Sequence, residues 1–414
     1  MQKIDKKVYD FVNEAEKKIA GELARVDAIA LANQAKVLDA FHEYNIGQRH
    51  FAQTNGYGYD DIGRDSLANV FAYAFGADSA VVSPQIVSGT HALTAALFGL
   101  LRPGDVLLSV SGEPYDTLKE AIAGKGTGSL ADYGVIYDSV PLKDGKLDFD
   151  AIKHAFGNHS RIKVVFVGRS RGYEWRDALS VEEIGCMCKF VKSLQGDVIV
   201  MCDNCYGEFV DTIEPVAVGV DIMAGSLIKN PGGGIAPTGG YICGKKALVE
   251  QATYRLTSPS IGCEVGSYAY GYREFYQGFF LAPHVTAQAI KTSMLFGAAF
   301  DMLGYDTMPK PGAICRDIIR SIKFNTEEEL TAFVRAIQYA SPVDGNVTPF
   351  AWDMPGYEDQ VIMAAGTFVA GASIELSADS PIRKPYIAYL QGGLTYEHGK
   401  IALAGCLQGL GLIK

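Results

Sequence analysis

The feature that most limits the folds open to this chain is a regular alternation of short β-branched runs with helical segments between residues 65 and 290. The runs lie at residues 79–87, 105–110, 133–140, 161–168 and 197–203. Two parallel strands need a long crossover, which is usually a helix, so strand–helix–strand spacing of this kind forms βαβ units. The pattern therefore predicts an α/β fold with a doubly wound, mostly parallel sheet.

The segments between these runs have helical periodicity, as in GTHALTAALFGLL (89–101), DFDAIKHAF (148–156) and LSVEEIGCMCKFVKSLQG (179–196). In the last segment Ser180 precedes Glu183 by three residues, which is a capping-box pattern for a helix start. In sheets of this class ligands bind at the carboxyl ends of the strands, so polar residues at those ends are the candidates for function.

The patterns on either side of this region predict an N-terminal unit and a C-terminal unit. Residues 1 to about 45 predict an amphipathic helix, and the stretch TNGYGYDDIGRD after it predicts an irregular arm. Beyond a helical stretch near 285–303, alternating helical and strand patterns predict a smaller C-terminal α+β domain. The expected units are a helix and arm over 1–64, a large domain over 65–290 and a small domain over 291–414.

Composition argues against several kinds of partner. The chain has 414 residues, 48% of them hydrophobic, which is enough for two domains with a sizeable core. The formal net charge of −10 argues against nucleic acid and against an anionic membrane as partners. Runs of about 18 apolar residues are missing, which argues against a membrane span. Eight cysteines without a secretory signal favour free thiols in a reducing cytoplasm.

Cys202 and Cys205 form a C-x-x-C pair, but it falls within the apolar run DVIVMCDNCYGEF. A structural zinc site needs a second pair of ligands at suitable spacing, and the sequence has no second such cysteine pair. We therefore expect no metal site.

The sequence SGTHA (88–92) stands directly before a helical run. Gly89 lets backbone amides approach a ligand closely, and the helix start offers unpaired N–H groups, so Gly89 and Thr90 are candidates to bind a phosphate. The alternative is that Ser88 or Thr90 caps the helix.

Two further candidates follow predicted strands. Tyr115 lies in the loop after the run at 105–110 and either stacks on a flat ligand or covers the domain surface. Asp203 ends the run at 197–203, where a buried carboxylate needs a partner such as a protonated ring nitrogen, an arginine or a helix N-terminus.

The stretch GSLIKNPGGG (225–234) places Lys229 between an apolar segment and three glycines. A lysine next to a desolvated cationic ligand has a lowered pKa and becomes a nucleophile, whereas an ordinary loop lysine is solvated. Ser226 precedes Lys229 by three residues. The glycines are expected to let the backbone pass close to a phosphate.

A phosphate seat, a stacking aromatic ring, a carboxylate and a buried lysine together describe a pyridoxal phosphate (PLP) site. Their order and spacing resemble the fold-type-I PLP enzymes, the aspartate-aminotransferase-like transferases. The resemblance implies the following roles: phosphate binding by Ser88, Gly89 and Thr90, ring stacking by Tyr115, ring-nitrogen protonation by Asp203, a phosphate or network contact by Ser226, and a covalent Schiff-base link at Lys229.

Longer motifs resemble one family among these enzymes. LANVFAYAFGADSAVV and SGTHALTAALFGLLRPGD are similar to the cystathionine and methionine lyase group. RSRGYEWR, SLIKNPGGGIAPTGGYI and ELSADSPIRKPYIAYLQGGLTY resemble a branch described as methionine γ-lyase-like, or as aluminium-resistance proteins. The resemblance covers essentially the whole chain.

The chain departs from the mainstream lyases in two places. Ile228 occupies the position of a phosphate-binding threonine next to the lysine. The mainstream enzymes complete the phosphate site with a Tyr-x-Arg arm from a neighbouring subunit, whereas this chain offers Tyr57, Tyr59 and Arg64 without that spacing. The resemblance still implies an inter-subunit arm, and with it a homodimer or homotetramer with sites at the interface.

The resemblance also implies arginine recognition of a substrate carboxylate. Arg383 is the candidate, with an interdomain ion pair as the alternative. Arg169 and Arg171 follow a predicted strand, and we expect one to face the cofactor or substrate and the other to be structural.

The function implied is a carbon–sulfur lyase that acts on a sulfur-containing amino acid by α,β- or α,γ-elimination, with Lys229 as the base and Tyr115 as the acid for the leaving sulfur. Two alternatives remain at this stage. One is another PLP enzyme, an aminotransferase or a threonine-aldolase type. The other is a non-catalytic PLP-holding protein linked to metal tolerance.

Overall fold

The computed structural model describes residues 4–354, 357 and 359–413, and these residues form two β-sheets. The strands of the larger sheet are β1 (Ser79–Ser83), β2 (Val106–Ser109), β3 (Ile136–Ser139), β4 (Val164–Gly168), β5 (Ile199–Asp203), β6 (Ile222–Ser226) and β7 (Gly240–Gly244). They lie in the order β1-β7-β6-β5-β4-β2-β3, and β7 is antiparallel to both neighbours while the other neighbouring pairs are parallel. The predicted α/β fold with a mostly parallel sheet is confirmed.

Helices cover both faces of this sheet. The helices up to residue 302 are α1 (Lys6–Lys18), which packs on the small sheet instead, α2 (Ala20–Glu43), α3 (Ile62–Phe75), α4 (Gly89–Leu100), α5 (Asp116–Ala123), α6 (Phe149–Asn158), α7 (Val181–Leu194), α8 (Lys246–Leu256) and α9 (Arg273–Met302). Alternate residues of β4 enter different hydrophobic clusters, Val165 in one and Val164 and Phe166 in the other. Strands buried on both faces read as continuous apolar runs, which explains the sequence pattern.

The smaller sheet belongs to the C-terminal part of the chain. Its antiparallel strands are β8 (Asp306–Met308), β9 (Arg320–Phe324), β10 (Val361–Ala364), β11 (Ser377–Pro381) and β12 (Tyr386–Gln391), with helices α10 (Glu327–Ala340) and α11 (Tyr396–Gly409). This part is the predicted smaller α+β unit. The expected boundary at 290/291 falls inside α9, and the second half of that helix packs Leu295 and Phe296 into the small-sheet core.

The N-terminal region is two helices rather than the single helix expected over 1–45, and residues 1–3 of that prediction lie outside the described residues. The chain leaves helical geometry at Ile19, where φ is −111° and ψ is 14°. Val8, Val12 and Ala15 of α1 are buried in the core of the small sheet. Two helix axes let the chain reach both the small sheet and the large domain.

Strands β6 and β7 were not among the five predicted runs, because glycines replace β-branched residues in both. A Cβ on Gly240 would lie 2.5 Å from Ile86 Cγ2. Gly244 has φ +153°, and a Cβ there would lie 2.3 Å from the Asp221 carbonyl oxygen. Close packing around this strand therefore excludes the side chains that would have marked it as a strand.

All eight cysteines are free, and Cys202 and Cys205 are buried. Among the residues that the structure describes, His, Cys, Asp and Glu form no group of three that could hold a metal ion. No helix within the described ranges has the length and apolar character needed to cross a membrane.

Candidate active site

A cavity of about 660 Å³ brings together most of the residues predicted from the sequence. Those that line it are Ser88, Gly89, Thr90, Tyr115, Arg171, Asp203, Ser226, Lys229 and Arg383. The small sheet contributes lining residues as well, among them Asp379 and Tyr389. The cavity therefore lies between the carboxyl ends of the large-sheet strands and the small sheet, as expected for a sheet of this class.

A second groove of about 650 Å³ lies between α10 and α11. Its charged side chains, Glu327, Glu328 and Arg335, are exposed on the helix surface. The first cavity instead contains a buried lysine and a buried carboxylate, and buried ionisable groups are typical of functional sites. The chemistry therefore favours the first cavity.

The first turn of α4 forms one side of this cavity. The Ser88 hydroxyl caps the helix by accepting a hydrogen bond from the His91 N–H at 3.0 Å. The Thr90 hydroxyl lies 2.9 Å from the Tyr115 hydroxyl. Capping by Ser88 satisfies one amide of the first turn, and a helix N-terminus facing a cavity attracts an anion.

Gly89 brings this helix end close to the floor of the cavity. A Cβ at Gly89 would lie 3.3 Å from both Cys205 Sγ and Ser226 Cβ, a tight contact that would need a shift of a few tenths of an ångström. Ser226 is buried at the end of β6, and its hydroxyl oxygen accepts a long hydrogen bond from the Ile228 N–H at 3.4 Å. Ile228 lines the cavity with a hydrocarbon side chain.

Asp203 ends β5 with its carboxylate at the cavity. Its Oδ1 accepts a hydrogen bond from the Cys205 N–H at 3.0 Å. Burial raises the pKa of Asp203, and the positive charge of Lys229 only partly offsets that effect. A further cationic hydrogen-bond donor would stabilise the charged form of a carboxyl group whose pKa is raised by burial.

Lys229 follows β6, and its Nζ lies 4.1 Å from the centroid of the Tyr206 ring. Burial lowers the pKa of this amine, but Cys205, Tyr206 and Asp203 outweigh burial and hold the pKa above its ordinary value. The protein groups alone therefore do not produce the lowered pKa that the sequence predicted for Lys229. Lowering it depends on a cationic ligand.

The glycines after Lys229 have a packing role rather than the predicted role of passing a phosphate. A Cβ on Gly232 would lie 1.6 Å from the Leu227 carbonyl oxygen. Gly233 has φ +57°, and a Cβ there would lie 2.3 Å from the Gly278 carbonyl oxygen in α9. The glycines press the lysine loop against α9 and thereby position Lys229.

Tyr115 precedes α5 and is 39% exposed. Burial of its hydroxyl and the nearby Asp203 raise its pKa well above the ordinary value, so the hydroxyl stays protonated. It is therefore a neutral hydrogen-bond donor at the edge of the cavity.

Neither Arg169 nor Arg171 is free to bind a substrate, which corrects the expectation that one of them faces the cofactor or substrate. Arg171 is fully buried and donates to Asp317 from Nη2 at 3.1 Å and from Nε at 3.3 Å. Arg169 lies outside the cavity lining and donates to Asn204 at 2.9 Å, with Glu214 at 3.6 Å. A buried guanidinium needs acceptors within the protein, and those of Arg171 are provided by Asp317 and the Met308 carbonyl oxygen, while among the described residues only Nη1 of Arg169 has acceptors.

Arg383 lines the cavity and is half-exposed. Its Nη1 donates to Asp359 Oδ2 at 2.8 Å, and both residues belong to the C-terminal part of the chain. The ion pair given above as the alternative role of Arg383 is therefore present, but it lies within the C-terminal unit rather than between domains. An exposed pair of this kind exchanges partners at little cost, so Arg383 stays a candidate for a substrate carboxylate.

The predicted arm residues lie outside the cavity of their own chain. Tyr57 and Tyr59 are 71% and 63% exposed, with ring centroids 5.5 Å apart. Arg64 is buried against the arm itself and donates to the Gly58 carbonyl oxygen at 2.8 Å. Contact with a neighbouring subunit stays a prediction.

Sequence reasoning missed a group of lining residues: Tyr173, Tyr206, Asp379, Tyr389 and Gln391. Tyr206 follows Asp203 by three residues and could have been found from that spacing. Asp379 and Tyr389 lie in the same motif as Arg383. Successive residues of a strand point to opposite faces of the sheet, so the residues that face the cavity can be named only once the buried face is known.

The fold and the cavity define the class of protein: a fold-type-I α/β enzyme scaffold with a buried lysine between two units. The PLP-dependent protein YhfS from Escherichia coli shares the fold, with 16% identity and a TM-score of 0.62 over 92% of this chain and 96% of that chain. The model of the methionine gamma-lyase family matches residues 8–410, and the chain belongs to that family.

Closer relatives align over nearly the whole chain. A carbon–sulfur lyase involved in aluminum resistance from Clostridium novyi is 49% identical, with a TM-score of 0.94 over 98% of this chain and 96% of that chain. The uncharacterized protein YnbB from Bacillus subtilis is 50% identical over 96% of this chain and 95% of its own length.

Proposed function

We propose that this protein is a PLP-dependent lyase that cleaves a carbon–sulfur bond of an amino acid by α,β- or α,γ-elimination. The observation that carries the proposal is Lys229, a buried amine beside Asp203 and Tyr206 in a cavity that also contains a helix N-terminus. Membership of the methionine gamma-lyase family supports it, as does the description of the Clostridium novyi relative as a carbon–sulfur lyase.

The residues present fit PLP. The first turn of α4 and the Ser226 hydroxyl suit a phosphate, and Gly89 lets the two approach each other closely. Asp203, whose pKa burial raises, suits a protonated ring nitrogen. Thr90 and Tyr115 bond each other at 2.9 Å beside this seat. Lys229 would hold the cofactor covalently.

The bound cofactor would supply an electron sink, and the chain supplies the proton transfers. Lys229 takes the proton from the substrate Cα, and Asp203 keeps the ring nitrogen protonated. Tyr115, whose hydroxyl stays protonated, donates to the leaving sulfur. In a γ-elimination Lys229 also moves a proton from Cβ.

The test is an absorption spectrum of the purified protein between about 300 and 500 nm, the range where bound PLP absorbs. It is paired with borohydride reduction and peptide mass spectrometry. We expect a visible band, a reduced pyridoxyl label on Lys229, and release of thiol with a keto acid from a sulfur amino acid. Lys229→Ala loses all three, while Lys246→Ala, an exposed lysine at the start of α8, loses none. An unlabelled wild-type protein after addition of PLP contradicts the proposal.

The same assays separate the alternatives. Amine transfer to a keto acid indicates an aminotransferase, and glycine release from threonine indicates an aldolase type. A labelled Lys229 with no turnover of any amino acid indicates a PLP-holding protein.

We further propose that the active unit is a homodimer or homotetramer in which the arm with Tyr57 and Tyr59 completes the neighbour's site. Exposure of both rings supports this, because exposed aromatic side chains are enriched at interfaces. Dilution that dissociates the subunits should weaken cofactor retention, as measured by sedimentation with absorbance detection. Full activity of a proven monomer contradicts the proposal.

The free thiols support a cytoplasmic location, which cell fractionation tests.

A further inference from the structure

Asp379 places a carboxylate on the small-sheet side of the cavity. It lies on β11 directly across from Tyr389 of β12, and Ser377 pairs with Gln391 in the same register. Asp379 Oδ2 accepts a hydrogen bond from Gln391 Nε2 at 3.0 Å, and the Tyr173 hydroxyl also bonds the carboxyl group. The neighbouring Ala378 and Leu390 point into the core instead, so strand alternation directs Asp379 and its partners into the cavity.

Aromatic rings surround this carboxylate. The Tyr173 ring lies 5.1 Å from the Tyr389 ring and 5.8 Å from the Tyr357 ring. The Tyr206 ring lies 4.1 Å from Lys229 Nζ, and Asp379 acts electrostatically on the same tyrosine. A carboxylate among tyrosine rings is the usual composition of a site for an organic ammonium group.

The arginines of the cavity lining are each paired with a carboxylate other than Asp379. Arg171 pairs with Asp317, Arg176 with Glu174, and Arg383 with Asp359. Within the described part of the chain, Asp379 has hydrogen-bond donors but no ion pair. Burial raises the pKa of Asp379 to about 6, so the group is an anion at neutral pH. The positive charge of Lys229 only partly offsets the effect of burial on Asp379. A carboxylate in the cavity wall with no ion pair of its own is costly for a site that binds only neutral thioethers.

We propose that Asp379, supported by Tyr173 and Gln391, binds an ammonium group on the leaving-group end of the substrate. The preferred substrates are therefore sulfur amino acids whose distal end is cationic and lacks a carboxylate. This inference rests on the proposed lyase function. It makes Asp379 a specificity-determining residue, while Lys229 and Tyr115 perform the proton transfers.

The test uses three probes of similar length: S-(2-aminoethyl)-L-cysteine, S-propyl-L-cysteine and S-(2-carboxyethyl)-L-cysteine. We expect kcat/KM to be about 10- to 100-fold higher for the aminoethyl probe, as for a hydrogen-bonded charged contact. Asp379→Asn should remove this preference and leave the S-propyl rate nearly unchanged. Asp379→Glu should keep the preference, and Asp306→Asn, an exposed residue on β8, serves as the control.

Binding gives a second measurement that does not depend on turnover. L-Lysine and L-norleucine differ by the distal ammonium group, and calorimetry with the purified wild-type protein should show tighter binding of lysine. Tighter lysine binding that Asp379→Asn abolishes supports the ammonium site even if no probe is cleaved, in which case only the lyase proposal fails. Cleavage of the S-propyl probe at the rate of the aminoethyl probe overturns the ammonium site and leaves the lyase proposal standing. An equal loss for all three probes in Asp379→Asn also overturns it.

Discussion

The cavity has two walls that differ in how they are built. The large-sheet wall consists of loop and helix residues at strand ends, such as Thr90, Asp203 and Lys229. The small-sheet wall consists of alternate residues on the face of a sheet, such as Asp379 and Tyr389. The first wall has the groups that we propose for PLP chemistry, and the second adds the carboxylate of Asp379 to the arginine, Arg383, that the family resemblance implies. Under the two proposals above, reaction type and substrate choice would be carried by different parts of the chain.

One buried ion pair joins the two walls. Arg171, in the loop after β4, pairs with Asp317, just before β9. Tyr173 lies two residues from Arg171 and contacts Tyr389 through its ring and its carbonyl oxygen. The pair therefore sets the position of one wall relative to the other.

The largest expected effect comes from breaking that connection. Asp317→Asn leaves the buried Arg171 without its counter-charge, and we expect the free energy of unfolding to fall by about 3–5 kcal/mol in urea titrations. The control is Asp10→Asn, which removes the exposed pair with Lys6 and should cost under about 1 kcal/mol. Equal losses in the two variants would show that the buried pair does not join the walls.

The next effect tests the large-sheet wall alone. Asp203→Asn should lower kcat/KM about 10²- to 10³-fold with PLP still bound, because an amide cannot stabilise the charge on the ring nitrogen. The readouts are bound-cofactor absorbance and the release of keto acid. Asp197→Asn, an exposed change just before the other end of β5, should leave both unchanged. Unaltered turnover in Asp203→Asn would remove this carboxylate from the chemistry.

A smaller effect tests the small-sheet wall through pH. The pKa of Asp379 is raised from 3.8 to about 6 by burial, so the folded state holds this proton more tightly than the unfolded state. The stability that this provides is present below pH 4 and is lost as pH rises through 6. Asp379→Asn should therefore be more stable than the wild type by up to about 3 kcal/mol above pH 7, with no difference below pH 4. Urea titrations at the two pH values measure this, and a difference that does not change with pH would contradict it.

The smallest effect concerns a single hydrogen bond in the large-sheet wall. Thr90→Val removes the bond to the Tyr115 hydroxyl, and we expect about tenfold weaker retention of PLP in equilibrium dialysis. Thr94→Val, one turn further along α4 and outside the cavity lining, should retain the cofactor normally. Equal retention by both variants would show that the Thr90 hydroxyl does not support the phosphate seat.

Much of the large domain was predictable because its signals are local. Apolar runs bounded by polar residues predicted five strands, and Ser180 with Glu183 forms the predicted capping box at the start of α7. The strands β6 and β7 were not predicted, because they contain glycines that allow close contact with distant residues such as Ile86. A pattern that depends on packing between remote segments leaves no periodic signal in either segment.

The sequence by itself determined the α/β fold and the place of Asp203 at a strand end, because hydrophobic periodicity acts over neighbouring residues, and it marked Lys229 by the apolar segment before it and the glycines after it. Only the tertiary structure decided that Arg169 and Arg171 are occupied within the protein, that the glycines after Lys229 pack against α9, and that Asp379 faces the cavity. Charges and close contacts depend on distance in space, and the residues that decide them here lie far apart along the chain.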